Sequence, residues 1–142
     1  MRPLLVVLAA ALVGCGGPTE VSLDQDFALA FGKSAAIEGT GITVTFEDVL
    51  EDSRCPINAV CVWAGNARIQ LAVNTPARHV VLQTRSDSNY AVVYQEGIRQ
   101  LVVQLGTLLP EPVAGEPINK RNYRATLKAM RWERLEGVGS EE

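Results

Sequence analysis

The chain has 142 residues, 13 of them Lys or Arg and 16 Asp or Glu, for a formal net charge of −3. That length fits one domain able to bury a core of its own. No basic run marks a nucleic-acid surface, and no apolar run reaches the roughly 20 residues a membrane-spanning helix needs.

Residues 4–13 form an unbroken apolar stretch behind Arg2. A charged n-region, a short apolar h-region and a small residue at the cut are the elements of a secretory signal. The stretch ends in Leu12-Val13-Gly14-Cys15, which resembles the lipobox of bacterial lipoproteins. The resemblance implies cleavage after residue 14 and a diacylglyceryl thioether on Cys15, with acyl chains of the palmitate type. The competing reading is an ordinary cleaved signal peptide. Two or more acyl chains anchor stably, whereas one binds only marginally. The expected organisation is a lipoprotein signal peptide over 1–14, a flexible tether over 15–22, a β-domain over 23–136 and a disordered acidic tail over 137–142. The tether reading rests on Gly16-Gly17-Pro18-Thr19-Glu20, which lacks apolar periodicity. Location is expected at the bacterial cell envelope. In a two-membrane host, Gly16 after the cysteine resembles the pattern of lipoproteins sorted to the periplasmic side of the outer membrane.

Beyond the tether the hydrophobic period is two. Phe27, Leu29 and Phe31 alternate with Ala28 and Ala30, and Ile42, Val44 and Phe46 with Thr43, Thr45 and Glu47. Half-buried strands read this way.

The densest pattern follows: Asp52-Ser53-Arg54-Cys55-Pro56, a short loop, then Cys61-Val62-Trp63-Ala64-Gly65-Asn66. It resembles a motif of small bacterial lipoproteins and secreted proteins of uncharacterised function, a resemblance that covers residues 27–73 and implies no particular activity. With Cys15 assigned to lipid, Cys55 and Cys61 remain as a pair, and an exported domain meets an oxidising compartment, so a Cys55–Cys61 disulfide is expected. Its short loop limits the entropic stabilisation to roughly 2.4 kcal/mol. If the strand runs through from Cys61 without a bulge, Trp63 shares the parity of Ile69, Leu71 and Val73 and faces the core with the disulfide. Gly65 hints at a bulge or a close backbone approach that would reset this parity. Asp52 and Arg54 flank the turn, where a carboxylate accepts backbone N–H bonds and a guanidinium caps loop carbonyls. The functional alternative groups Asp52, Arg54, Trp63 and Asn66 into one recognition surface, since exposed Arg and Trp are typical hot-spot residues.

Further strands are expected around Ile69, Leu71 and Val73; Val80 and Leu82; Leu101, Val103 and Leu105; and Tyr123, Ala125, Leu127 and Ala129. Turn chemistry separates them at Asn74-Thr75-Pro76, Ser86-Asp87-Ser88-Asn89 and Glu96-Gly97. Residues 110–119 hold three prolines and a glycine and read as a long loop crossing between sheets. The sum is an all-β fold, an antiparallel β-sandwich or small barrel of about seven strands.

No residue set suggests catalysis. The single histidine, His79, alternates with Val80 and reads as a surface residue without companion ligands. The pairs Asp24/Asp26 and Glu51/Asp52 lack the supporting ligands of a calcium site, and no nucleophile elbow occurs. The expectation is therefore no enzyme, no cofactor and no metal, but a lipid-anchored envelope β-domain acting as a non-enzymatic binding or structural module. Its partners would be the membrane, through lipid on Cys15, and an envelope protein. An alternative is an envelope inhibitor or accessory subunit of an enzyme, presenting the loops 52–60 and 110–119.

Overall fold

The computed structural model describes residues 16–133; the expected signal, Cys15 and the acidic tail lie outside them. Nine strands form two sheets: β1 (Thr19–Val21), β2 (Asp26–Ala30), β3 (Ser34–Ile37), β4 (Ile42–Asp52), β5 (Ala67–Asn74), β6 (Ala77–Gln83), β7 (Tyr90–Glu96), β8 (Arg99–Leu109) and β9 (Arg124–Glu133). The first sheet has the order β1-β3-β4-β5-β6 and the second β2-β9-β8-β7. Their inner faces make a sandwich core, with Phe46, Ile69 and Leu71 on one side and Val103, Leu105 and Leu127 on the other, all essentially inaccessible to water. A short 3-10 helix (Lys120–Asn122) precedes β9.

The strand number exceeds the expected seven because three elements carry weak period-two signals. β3 is Ser34-Ala35-Ala36-Ile37, too small in side chain to show alternation. β7 holds a bulge between Val92 and Tyr94 that breaks it. β1 falls within the segment expected to be a tether. There Thr19, Glu20 and Val21 pair in parallel with Ala35, Ala36 and Ile37, and the Glu38 amide donates to the Val21 carbonyl at 2.9 Å. The free edge of β3 supplies backbone partners that a sequence without apolar periodicity does not advertise. Residues 110–119 join β8 to β9, which are neighbours in one sheet, so this loop does not cross between sheets. Crossing occurs instead at β1–β2, β2–β3 and β6–β7.

Bulges decide which residues β4 turns inward. Val44 and Phe46 oppose Val73 and Leu71 on the inner face. Strict alternation would next bury Asp48 and Leu50. Register shifts between Phe46 and Asp48, and again between Val49 and Glu51, change parity twice. Val49 then opposes Ile69 inside, Asp48 faces out towards Lys120, and Asp52 opposes the fully buried Ala67. A third shift, at Gly106 in β8, places Leu108 inside opposite Ala125.

The same topology defines two poles. β4 runs towards one end, where β8 also finishes and β9 begins. β1 is parallel to β3 and hence antiparallel to β4, so the chain enters β1 from the side of that same end. The opposite pole holds the β3–β4 turn and the far ends of β8 and β9. There a cleft lies among Thr40, Tyr94, Arg99, Arg131 and Trp132.

The parity switch yields a direct prediction. Val49, 5% exposed, and Leu50, 42% exposed, exchange the roles that alternation would give them. Val49→Ala is expected to cost on the order of 2 kcal/mol and Leu50→Ala less than about 0.5 kcal/mol, measured by urea denaturation; the reverse order would refute the bulged register.

Candidate functional site

The loop 53–66 between β4 and β5 stands at the pole where Asp52 arrives. Its base is zipped by backbone and hydroxyl bonds. The Ser53 amide donates to the Asn66 carbonyl at 2.7 Å, the Cys55 amide to the Ala64 carbonyl at 3.1 Å, and the Asn66 amide to the Ser53 hydroxyl at 3.2 Å. Gly65 makes this possible. Its φ is +70°, and a Cβ there would lie 1.8 Å from the Ser53 carbonyl oxygen, so only glycine fits. Above the zipper a disulfide joins Cys55 and Cys61, with Cα atoms 5.9 Å apart.

Beneath the loop, Arg54 and Asp52 form a bidentate pair: Nε donates to Oδ1 at 2.8 Å and Nη2 to Oδ2 at 2.7 Å. The remaining N–H groups of the guanidinium donate to two carbonyls at the end of β8 in the other sheet, Leu108 at 2.6 Å and, just past the strand, Pro110 at 2.9 Å. Tyr123, at the entry to β9, donates its hydroxyl to Asp52 Oδ2 at 2.8 Å. One carboxylate thus links the end of β4 with the start of β9, and Arg54 adds the end of β8. The side chains of Arg54 and Asp52 are only 14% and 11% exposed. Burial raises the Asp52 pKa, but the hydrogen bonds from Arg54 and Tyr123 and the charge of Arg54 outweigh it and hold the carboxyl below its ordinary value. Burial and then the bond to Asp52 push the Tyr123 hydroxyl up to about 12.

The loop's outer half is braced from one side. The Ile57 amide donates to the Pro112 carbonyl at 2.9 Å, and the Ala114 amide to the Asn58 side-chain oxygen at 2.8 Å. What then faces solvent is apolar: Ile57 is 64% exposed, Trp63 82% and Val62 91%, while Val60 is as exposed as in an extended chain. Residues 55–67 include no charged side chain. Large aliphatic residues and a tryptophan are ordinarily the first to be covered, and a contiguous exposed set marks an interaction surface.

This arrangement divides the four residues expected to form one recognition surface. Asp52 and Arg54 are turned into the sandwich end and occupied there. Asn66 sits at the loop base, its amide donating to Gln83 at 2.7 Å while its oxygen accepts from the Thr84 hydroxyl at 3.2 Å. Trp63 reaches outward and shares a pocket with Asn66 and Arg85; of the two expectations for its parity, the close backbone approach at Gly65 holds, because β5 begins at Ala67 and no strand runs back to Cys61. Ile57, Val60 and Val62 were not singled out by sequence reasoning, although an uncharged apolar run between two cysteines was a visible signal. Tyr123 was assigned to a strand but not to the polar cluster; an inward tyrosine at a strand start needs a partner for its hydroxyl. His79 lies exposed on β6, its Nε2 2.9 Å from Glu47.

Comparison with protein-family models, with curated proteins and with solved structures gave no match.

Substitutions and pH test the clamp and the zipper separately. Asp52→Asn should cost about 3 kcal/mol by leaving Arg54 uncompensated, and Tyr123→Phe about 1.5 kcal/mol for one bond to a charged acceptor. The pH limbs follow from linkage. The depressed Asp52 pKa gives stability that is present above the unfolded-state value of about 3.9 and is lost as pH falls through the lower folded value. The raised Tyr123 pKa gives stability present below its ordinary value of 10.0 and lost as pH rises through about 12, a limb Tyr123→Phe should lack. Urea midpoints across pH measure both. Gly65→Ala should lower stability by more than about 1 kcal/mol through the Ser53 collision and positive φ; an unchanged urea midpoint would show that the zipper is not formed.

Proposed function

We propose that the protein is a lipid-anchored domain of the bacterial cell envelope, tethered through Cys15, and that it works as a non-enzymatic binding or structural module whose contact element is the stapled loop 53–66. The observation that carries this reading is the rigid, uncharged display of Ile57, Val60, Val62 and Trp63. The loop's own polar and charged side chains and Asp52 are committed to holding it: Arg54 and Asp52 to each other, Asn58 to Ala114, and Asn66 to Gln83. A surface built in this way offers contact area rather than acid–base or nucleophilic chemistry.

The anchor supports the same reading. The segment Leu12-Val13-Gly14-Cys15 resembles a lipobox, and β1 starts at Thr19. Four residues from Cys15 to Thr19 span at most about 14 Å, so an acylated Cys15 would hold the sandwich close to the bilayer surface. The third cysteine then has a partner other than the Cys55–Cys61 pair, in keeping with an oxidising compartment.

Intact-mass spectrometry of the protein extracted from membranes tests the reading. The expected species is a chain beginning at Cys15 with the added mass of acyl groups, absent in Cys15→Ala. A membrane-bound mature chain without acyl mass would reject the anchor.

A further inference from the structure

We infer that the loop 53–66 inserts its apolar tip into the bilayer interface, giving the domain a second membrane contact beside the lipid; the inference deepens the lipid-anchored reading and rests on it for orientation. Three observations lead there. The tip is apolar and exposed, with Ile57, Val60, Val62 and Trp63 all at least 64% exposed and no charged side chain over 55–67. A side chain entering the headgroup region must leave water, which penalises charge and favours aliphatic residues and tryptophan. Asn58, the polar side chain between Ile57 and Val60, accepts from the Ala114 amide.

The second observation is topological. The chain enters β1 from the side of the pole that carries the loop. Thr19 aligns through Ala35 with Val44 of β4, and the eight residues from Val44 to Asp52 span at most about 26 Å at strand rise. A tether of about 14 Å is shorter than that offset. For the loop to reach the bilayer on this tether the sandwich must lie oblique, with the β1 edge and the loop pole both turned to the membrane. In that pose the apolar loop 53–66 is the part of the pole that meets lipid.

The third observation weighs against a protein partner. Protein interfaces combine a desolvated centre with hydrogen bonds and a polar rim. Here the loop's own polar side chains, Asn58 and Asn66, are already bonded within the domain, which leaves Arg85 beside Trp63 as the charged group at the rim. Nor is the attraction electrostatic, since the chain carries a formal net charge of −3. The contact should accordingly respond little to salt.

The two tryptophans make the test internal. Trp63 is at the loop pole, whereas Trp132 is at the opposite pole, its ring 5.2 Å from that of Tyr90 and tilted against it by 51°. The full chain, as Trp132→Phe or Trp63→Phe, is purified from membranes and reconstituted into vesicles of phosphatidylethanolamine and phosphatidylglycerol doped with brominated phosphatidylcholine. Intact mass is recorded on the same samples. Trp63 emission is expected to shift to the blue and to be quenched several-fold more than that of Trp132, at low and high salt alike, and Val62→Asp in the Trp132→Phe background should abolish the difference. Acylated protein that binds vesicles with Trp63 unquenched overturns the inference and leaves the anchor standing. Shielding of Trp63 in native envelopes but not in pure lipid overturns it in favour of a protein partner. Chain without acyl mass rejects the anchor, and on that sample Trp63 quenching still supports insertion while its absence rejects both.

Discussion

The Asp52–Arg54 pair is the constraint around which one end of this sandwich is organised. Arg54 donates four hydrogen bonds, two into the carboxylate and two into the Leu108 and Pro110 carbonyls. Asp52 accepts a further one from Tyr123. Two charges removed from water gain little net stability from their mutual attraction, because desolvation cancels most of it. Such a pair instead penalises every arrangement in which one partner is left alone. It therefore fixes where β4 ends relative to β8 and β9, and with that the direction in which the loop 53–66 leaves the domain.

That geometry requires an inward carboxylate at the last position of β4, which plain alternation could have supplied from Phe46 onward. It would also have buried Asp48 and Leu50. The two bulges keep Asp52 inside while replacing Asp48 and Leu50 by Val49. Asp48 is left free to accept from Lys120 at 2.6 Å on the outside, where the ammonium lowers its pKa. The bulges thus separate two carboxylates four residues apart into different roles, one in the sandwich end and one on its surface.

Much of the scaffold was legible in the sequence because the burial rule for a sandwich is local. Ile69, Leu71 and Val73, or Leu101, Val103 and Leu105, advertise their inner face by period two alone, and all are buried. The parts that were not legible depend on partners far away in sequence. β1 exists because β3 has an edge to offer. The shift at Gly106 and those in β4 answer to the strands opposite. The orientation of Trp63 turns on Gly65, the position at which the sequence hints at a close backbone approach: a positive φ and the contact with Ser53 end the extended run there and leave an outward loop.

Rigidity explains how that loop can stay apolar and exposed. A flexible segment carrying Ile57, Val60, Val62 and Trp63 would collapse onto the nearest apolar surface of its own domain, since each side chain gains about 1.5–3 kcal/mol by full burial. The Ser53–Asn66 zipper, the Cys55–Cys61 bridge and the brace from Pro112 and Ala114 remove the backbone freedom such a collapse requires. The polar framework underneath thereby converts an unfavourable exposure into a standing one. The apolar tip can lose its contact with water only through something outside the domain, and the short run from Thr19 back to Cys15 limits how far away that can be.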